Sequence, residues 1–250
     1  MTIDPVESSI IIRTKNEEKW IGELLDRLAM QSYKNFEIVI VDSGSTDRTL
    51  KIVNEFRDAQ ADISLHIFHI KPEEFSYPFA LNVGCGNARA TTYFVIMSAH
   101  SVPVSETWIA DGLSNFTQEK ILGVYGPIQA LPDGTLWEKI FFNKFIVMIA
   151  RWRGKKEAVN RVGMGVLGFT NAIVRRDLWE RYRFDERWAG GGEDTAWAAY
   201  WFARGYGAIK DARFAVSHSH GLGIRGLIAQ WKHWKNSSAP QPFHKPTYRK

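Results

Sequence analysis

Phe36-Glu37-Ile38-Val39-Ile40-Val41-Asp42-Ser43-Gly44-Ser45-Thr46-Asp47 is the stretch that decides the fold. Phe36 to Val41 is an apolar, β-branched run, which reads as a strand buried on both faces. An acid stands at its end, and Ser43-Gly44-Ser45-Thr46 turns the chain into a helix near Arg48 to Phe56. Upstream, Ser9-Ile10-Ile11-Ile12-Arg13 is a second buried strand, and Trp20, Ile21, Leu24, Leu25 and Leu28 follow at helical spacing. Thr14 and Glu17 stand three apart, as a capping box would place them. Downstream come a strand over Ile63 to Ile70, a helix over Phe79 to Ala88 and a strand over Tyr93 to Met97. This alternation predicts an α/β fold with a mostly parallel central sheet and helices on both faces. Such sheets bind ligands beyond the carboxyl ends of their strands. Arg13 to Glu17, Asp42 to Asp47 and Ser98 to Ser101 are therefore the polar groups to inspect.

The later half is less regular. Trp108 to Phe116 reads as a helix, Gly123 to Gln129 as a strand, and Phe169 to Val174 and Phe214 to His218 as further strands. Trp137, Phe141, Phe145, Met148 and Trp152 mark one helical face, with Lys139, Asn143 and Arg151 away from it. A helix is expected to begin near Glu193, because three glycines precede it and Trp197, Tyr200 and Trp201 follow at helical spacing.

At 250 residues the chain suits one large domain, and its 45% apolar and 24% charged content excludes a disordered or collagen-like chain. The net charge of +5 is unevenly placed: seven basic residues and one acid lie between Lys139 and Arg161, and six basic residues and no acid follow Leu222. The remainder is acidic. A single cysteine, Cys85, makes no internal disulfide and reads as buried filler. The acidic start lacks the basic region of a signal peptide, and no apolar run approaches a membrane span. The expectation is a cytoplasmic protein, with a peripheral position at the inner membrane face left open.

Read as residues, Asp42 to Asp47 has two meanings: a turn with helix caps, or a carboxylate for base and ribose beside a helix end that favours phosphate. Strand, Arg13-Thr14-Lys15-Asn16-Glu17-Glu18, amphipathic helix, strand, Val41-Asp42-Ser43-Gly44-Ser45-Thr46-Asp47 resembles the nucleotide-binding half of the family 2 glycosyltransferases. Further similarities follow in the family's order. Asn82-Val83-Gly84 resembles its Arg-Asn-X-Gly element, with Leu81 for Arg; Phe169-Thr170-Asn171-Ala172 to Trp179 resembles its acceptor-site strand. Phe184-Asp185-Glu186, Gly191-Gly192-Glu193-Asp194 and Ala215-Val216-Ser217-His218-Ser219-His220 are similar to its later signatures. The resemblance spans Ser9 to His220.

The resemblance implies a GT-A (Rossmann-like) three-layer α/β/α sandwich and inverting transfer of a sugar from a UDP- or dTDP-linked donor to an acceptor hydroxyl. By matching position, Thr14, Asn16, Glu17, Asp42, Ser43, Asn82, Ser98 and Ala99 would line the nucleotide site. Asp194 would be the general base, with Glu193 steadying it or meeting the acceptor. Two acids at a helix start also complement the helix dipole with no catalytic meaning; three preceding glycines favour the catalytic reading, since backbone close to a ligand favours glycine.

The metal motif departs from the family's Asp-X-Asp. Its place reads Ser98-Ala99-His100-Ser101, so His100 with His218 and His220 are the candidate ligands for a divalent cation, Mn²⁺ or Mg²⁺ in the family. Imidazole suits Mn²⁺ or Zn²⁺ better than Mg²⁺. The same histidines could instead donate to the diphosphate without a metal, or sit satisfied in the core. Gln230-Trp231-Lys232-His233-Trp234 falls near the Gln-X-X-Arg-Trp place of processive members but has His for Arg, so a non-processive enzyme is expected.

The expected domain is single and covers residues 1–236, with a nucleotide-binding half over about 8–101, an acceptor-binding half over about 102–221, and a C-terminal helix over about 222–236. Residues 237–250 read as a poorly ordered basic tail. The expected partners are the nucleotide-sugar and a saccharide or lipid-linked acceptor, in cell-surface polysaccharide or glycolipid synthesis. Residues 136–156 and the C-terminus have two readings, core packing with solvated charges or contact with an anionic membrane surface. Nucleic acid is not expected, since no nucleic-acid motif accompanies the basic patches. A nucleotidyltransferase would need a glycine-rich loop after the first strand; a binding module without turnover is the other alternative, favoured by Ser98.

Overall fold

The computed structural model describes residues 5–163 and 165–237. The expected tail lies outside the described residues from Ser238 onward. The first hundred residues alternate as expected: β1 (Ser8–Thr14), α1 (Ile21–Ala29), β2 (Phe36–Asp42), α2 (Thr49–Ala59), β3 (Leu65–His69), α3 (Tyr77–Asn87) and β4 (Tyr93–Ser98). Then come β5 (Val102–Pro103), α4 (Trp108–Leu113), β6 (Ile121–Tyr125), β7 (Ile128–Gln129), α5 (Leu136–Phe141), α6 (Lys144–Trp152) and β8 (Lys156–Val159). The last described elements are β9 (Asn171–Arg175), α7 (Arg176–Arg181), α8 (Glu193–Phe202), β10 (Gly207–Asp211), β11 (Val216–Ser217) and α9 (Ile224–Ser237).

An eight-stranded sheet runs β3-β2-β1-β4-β9-β6-β10-β8, and β5-β11-β7 form a small second sheet. β3, β2, β1 and β4 are mutually parallel; β9 runs antiparallel to both its neighbours. Successive residues of the central strands enter different cores, as a period of two requires. Ile10, Ile12, Ile38 and Ile40 pack with Leu24, Leu28 and Trp108 on one face. Ile11, Val39 and Val41 pack with Leu81, Trp197 and Trp201 on the other. Each such fully buried side chain stabilises by about 1.5–3 kcal/mol. This is the expected three-layer α/β/α arrangement. Cys85 is buried among the α3 side chains of the second core, and burial pushes its thiol well above the usual range. The register sets Thr14 opposite Asp42, Arg13 opposite Ser98, and Asp42 opposite His69. The carboxyl ends of β1, β2 and β4 therefore form one ledge.

Four sequence expectations are corrected. Thr14 closes β1 and caps no helix, because α1 begins at Ile21 with Trp20 at its N-cap. Gly123 to Gln129 is not one strand: the chain leaves the large sheet at Gly126-Pro127 and enters the small one. A Cβ on Gly126 would stand 1.4 Å from the Phe214 carbonyl oxygen, so only glycine lets the chain cross there. The helix expected over Trp137 to Trp152 is two, since the Asn143 side chain accepts from the N–H groups of Phe145 (2.9 Å) and Ile146 (3.4 Å) and starts α6 afresh. Its aromatic face does not pack on the core, because Trp137, Phe141, Phe145, Met148 and Trp152 are all exposed.

Candidate active site

Asp42 ends β2, and its carboxylate accepts from the backbone N–H of Gly44 (3.0 Å) and Ser45 (3.1 Å) and from the Ser45 hydroxyl. Gly44 makes this turn at φ +87°, a left-handed conformation that favours glycine. Ser43 is buried, and its N–H donates to the Thr14 carbonyl at 3.1 Å, tying the ends of β1 and β2. The exposed Asn16 completes the tie: its N–H donates to Ser45 Oγ (3.0 Å), and its Oδ1 accepts from the Thr46 N–H (2.8 Å). Acids already cap part of the α2 N-terminus: Asp47 accepts from Thr49 at 2.9 Å and Glu18 accepts from Arg48 at 3.0 Å, which complements that end.

β4 carries the next wall. Ser98 stands at its end, Ala99 is buried, and His100 follows in the turn that leads to β5. His100 Nδ1 lies 2.9 Å from Glu17 Oε1, while the His100 ring stacks on His218 at 4.4 Å between centroids. His218 Nε2 and His220 Nε2 are 3.0 Å apart, and Ser101 Oγ lies 3.1 Å from His218 Nδ1. Burial, then the neighbouring histidines, holds the His218 imidazole well below its ordinary pKa; burial and His100 likewise lower His220. The chain thus brings together all three histidines singled out in the sequence.

These residues fit a divalent cation. One ligand nitrogen from each histidine can be chosen so that all lie within 4.8 Å of one another, and His100 Nε2 is buried with no hydrogen-bond partner. An imidazole in its neutral form offers a lone pair, and Glu17 and Ser101 are placed to orient the His100 and His218 rings from their other nitrogens.

Arg13 links this side of the ledge to α8. Its Nη1 stands 3.8 Å from Glu193 Oε1, its Nη2 donates to the Phe169 carbonyl at 3.4 Å, and its guanidinium lies 4.9 Å from the centre of the Tyr77 ring. Glu193 is the first residue of α8, entered through Gly191 and Gly192 at φ +108° and +96°. Burial first, then the charge of Asp194, pushes Glu193 up to about 7 against the opposing pull of Arg13. Burial raises Asp194 too, although it accepts the Thr195 N–H at 2.6 Å. A carboxylate held above its usual range at the mouth of a parallel sheet is suited to taking a proton.

Asn82 sits differently. Its side-chain amide donates to the Phe184 carbonyl (2.8 Å) and Glu186 Oε1 (3.1 Å), and its oxygen accepts from Trp179 Nε1 and the Phe184 N–H, each at 3.2 Å. Its hydrogen-bonding capacity is used within the protein, fastening the loop that precedes α8. The sequence marked Arg13 and Ser101 for inspection without a role and passed over Glu138. Thr135-Leu136-Trp137-Glu138 is a capping-box spacing, which was the available signal for Glu138.

A mixed sheet of this order, with its polar ledge at the parallel strand ends, defines a GT-A glycosyltransferase fold. The Glycosyl transferase family 2 profile matches residues 9–183, and the chain belongs to that family. It is 31% identical over 132 residues, half of this chain, to a Methanococcus voltae dolichyl N-acetyl-alpha-D-glucosaminyl phosphate 3-beta-D-2,3-diacetamido-2,3-dideoxy-beta-D-glucuronosyltransferase. It is 50% identical over 52 residues, 20% of the chain, to the Staphylococcus aureus poly(ribitol-phosphate) beta-N-acetylglucosaminyltransferase TarS. Those stretches amount to 40% and 9% of the relatives' lengths, so the chain spans well under two thirds of either. Among solved structures, the Pyrobaculum calidifontis mannosyltransferase PcManGT, in complex with GDP-Man and Mn²⁺, superposes with a TM-score of 0.65 at 21% identity, over 93% of this chain and 63% of that one. S. aureus TarS 1-349 with UDP-GlcNAc gives 0.61 at 18% identity, over 89% and 61%. These likenesses show the shared fold. Among the described residues, no helix is long and apolar enough to cross a membrane.

Proposed function

We propose that the protein transfers a sugar from a UDP- or dTDP-linked donor to an acceptor hydroxyl with inversion. The observation that carries this is the placing of Arg13 between two groups, the Asp42–Glu17–His100 ledge and the Glu193–Asp194 pair. Ledge and acid pair then face one reaction from opposite sides: Glu17 and Asp42 meet ribose and base, and Asp194 meets the acceptor. Thr14, whose buried hydroxyl has no partner, and Ser98 complete the donor side, Asn16 and Ser43 hold its loops, and Asn82 holds the loop before α8 on the acceptor side.

In the reaction the acceptor oxygen attacks the anomeric carbon as the bond to the diphosphate breaks. The acceptor proton passes to the Asp194 carboxylate, and the nucleoside diphosphate departs with the bonding electrons. A proton-accepting group of this kind contributes about 10²–10⁴-fold. Glu193, paired with Arg13, orients Asp194 and the acceptor. A divalent cation held by His100, His218 and His220 would neutralise charge developing on the diphosphate. Ser98 in place of a family acid is compatible with such an all-imidazole ligand set, for which Mn²⁺ is better suited than Mg²⁺.

The acceptor class is a saccharide or lipid-linked hydroxyl of cell-surface polysaccharide or glycolipid synthesis, and a peripheral membrane position would present the lipid-linked kind. Asp194→Asn tests the reading: turnover of a UDP-sugar should fall by at least about 10²-fold while UDP affinity is kept. Unchanged turnover would remove Asp194 from the reaction. UDP binding without turnover in the unaltered protein would make it a binding module.

A further inference from the structure

α5 and α6 are amphipathic the wrong way round for core helices. On α5 the buried residue is Glu138, and Trp137 and Phe141 point outward. On α6 the buried residue is Val147, whereas Ile146 is 68% and Trp152 85% exposed, and Phe145 and Ile149 are exposed beside them. At 100° per residue the outward apolar groups of each helix form one continuous arc opposite its buried residue. Scattered exposed apolar residues are ordinary; a contiguous face on two consecutive helices is a contact surface.

The charge pattern selects the partner. From Leu136 to Lys156 the only acid is Glu138, which is buried, while Lys139, Lys144, Arg153 and Lys155 are exposed. α9 packs beside α5 and brings exposed Trp231, Lys232 and Lys235, again with no acid. Cores of protein interfaces are poor in lysine. A second copy meeting this surface about a twofold axis would set the same cationic ring against itself. Aromatic and aliphatic groups flanked by lysine and arginine match instead the boundary between acyl chains and anionic headgroups.

The surface also adjoins the site. On the inner side of α5, Glu138 Oε1 accepts the N–H groups of His220 (2.8 Å) and Leu222 (3.1 Å), and the Thr135 hydroxyl donates to the Leu222 carbonyl at 2.6 Å. The histidine loop and the apolar face are thus separated by the thickness of one helix, about 10–12 Å.

We propose that the outward faces of α5 and α6, with α9 beside them, seat the protein on an anionic lipid surface and hold the histidine cluster one helix above the headgroups. Resting on the glycosyl-transfer reading, this further assigns the acceptor to a lipid carried by that bilayer. The surface itself stands without that reading.

The test is flotation of the full chain, without nucleotide or acceptor, on phosphatidylglycerol-containing vesicles and on phosphatidylcholine alone. Binding to the anionic vesicles is expected, weakening as salt rises. Arg153→Glu with Lys155→Glu should lower it at least about tenfold, and Phe145→Ser with Trp152→Ser should abolish it. All four positions are exposed, so an unchanged thermal midpoint checks that folding is kept. No flotation, equal binding to neutral vesicles, or flotation indifferent to both double variants would overturn the proposal. So would a dimer in solution that the Phe145→Ser, Trp152→Ser protein loses. Flotation that persists in an inactive Asp194→Asn protein separates this surface from the chemistry, and failure to float leaves the transfer reading standing.

Discussion

Arg13 Nη1 and Glu193 Oε1 face each other at 3.8 Å, joining the end of β1 to the first turn of α8. Arg13 Nε and Nη1 are otherwise buried without hydrogen-bond partners. The guanidinium therefore has little to hold it except Glu193, the Tyr77 ring and the Phe169 carbonyl. A cation so placed favours the ionised forms of both Glu193 and Asp194.

Arg13→Met should accordingly move the acid limb of the kcat/KM profile to higher pH. The sign follows from the charges: burial already raises both acids, Glu193 to about 7, and Arg13 opposes that rise. Without the cation the pair stays protonated further up the pH scale, and the base form appears later. Arg13→Lys should return the limb part of the way. A limb that stays where it was in Arg13→Met would reduce Arg13 to a packing element.

Much of the fold was legible because the central strands obey two simple patterns at once. Ile10 to Ile12 and Ile38 to Val41 are apolar at every position since both faces are covered, and a charged residue ends each run, Arg13 after the first and Asp42 after the second. β8 and β10 were not legible. Lys156-Glu157-Ala158-Val159 is a solvated edge strand, and Gly207-Ala208-Ile209-Lys210-Asp211 offers one fully buried apolar side chain, Ala208. Of the site, the three histidines and the Glu193-Asp194 pair could be picked out, because chemistry of that kind is concentrated in few residue types. The orientation of α5 and α6 could not. Periodicity shows that a helix has an apolar face; it does not say which way the face turns.

Gly192 is the position where backbone conformation should matter most at the site. It caps α8 at φ +96°, and the helix that it starts presents Glu193 and Asp194. Gly192→Ala should cost about 1–2 kcal/mol, the penalty of a side chain in the left-handed region. Gly190→Ala is the control, since it has no positive φ and an added Cβ meets nothing within 4 Å. Urea melts of the two variants check this: equal midpoints would show that the helix entry carries no strain.

Glu138 should make stability depend on acid. Burial raises its pKa, but N–H donation from Thr135, His220 and Leu222 outweighs burial and holds it below the usual value of 4.5. A depressed folded pKa contributes stability that is fully present above the unfolded value and is lost as pH falls through the folded one. Glu138→Gln should cost about 1.5–3 kcal/mol at neutral pH, the range for bonds to a charged group. The difference from the unaltered protein should shrink in acid. Urea midpoints at neutral and acid pH measure both, and a gap that does not narrow would deny the carboxylate this part.

The histidine cluster makes the sharpest demand on a metal. Mn²⁺ should tighten UDP binding in calorimetry, EDTA should reverse the effect, and His100→Ala should abolish it. The orienting neighbours provide a finer check. Glu17 stands 2.9 Å from His100 Nδ1 and Ser101 3.1 Å from His218 Nδ1, so neither takes up the nitrogen left for a ligand. Loss of such a partner lowers metal affinity by about 10–100-fold. Ser101→Ala should therefore weaken Mn²⁺ binding, measured directly without nucleotide, while leaving metal-free UDP affinity in place. If EDTA changes nothing and His100→Ala weakens UDP binding all the same, the imidazoles donate to the diphosphate themselves. The cluster then stabilises phosphate charge by hydrogen bonds instead of through a cation.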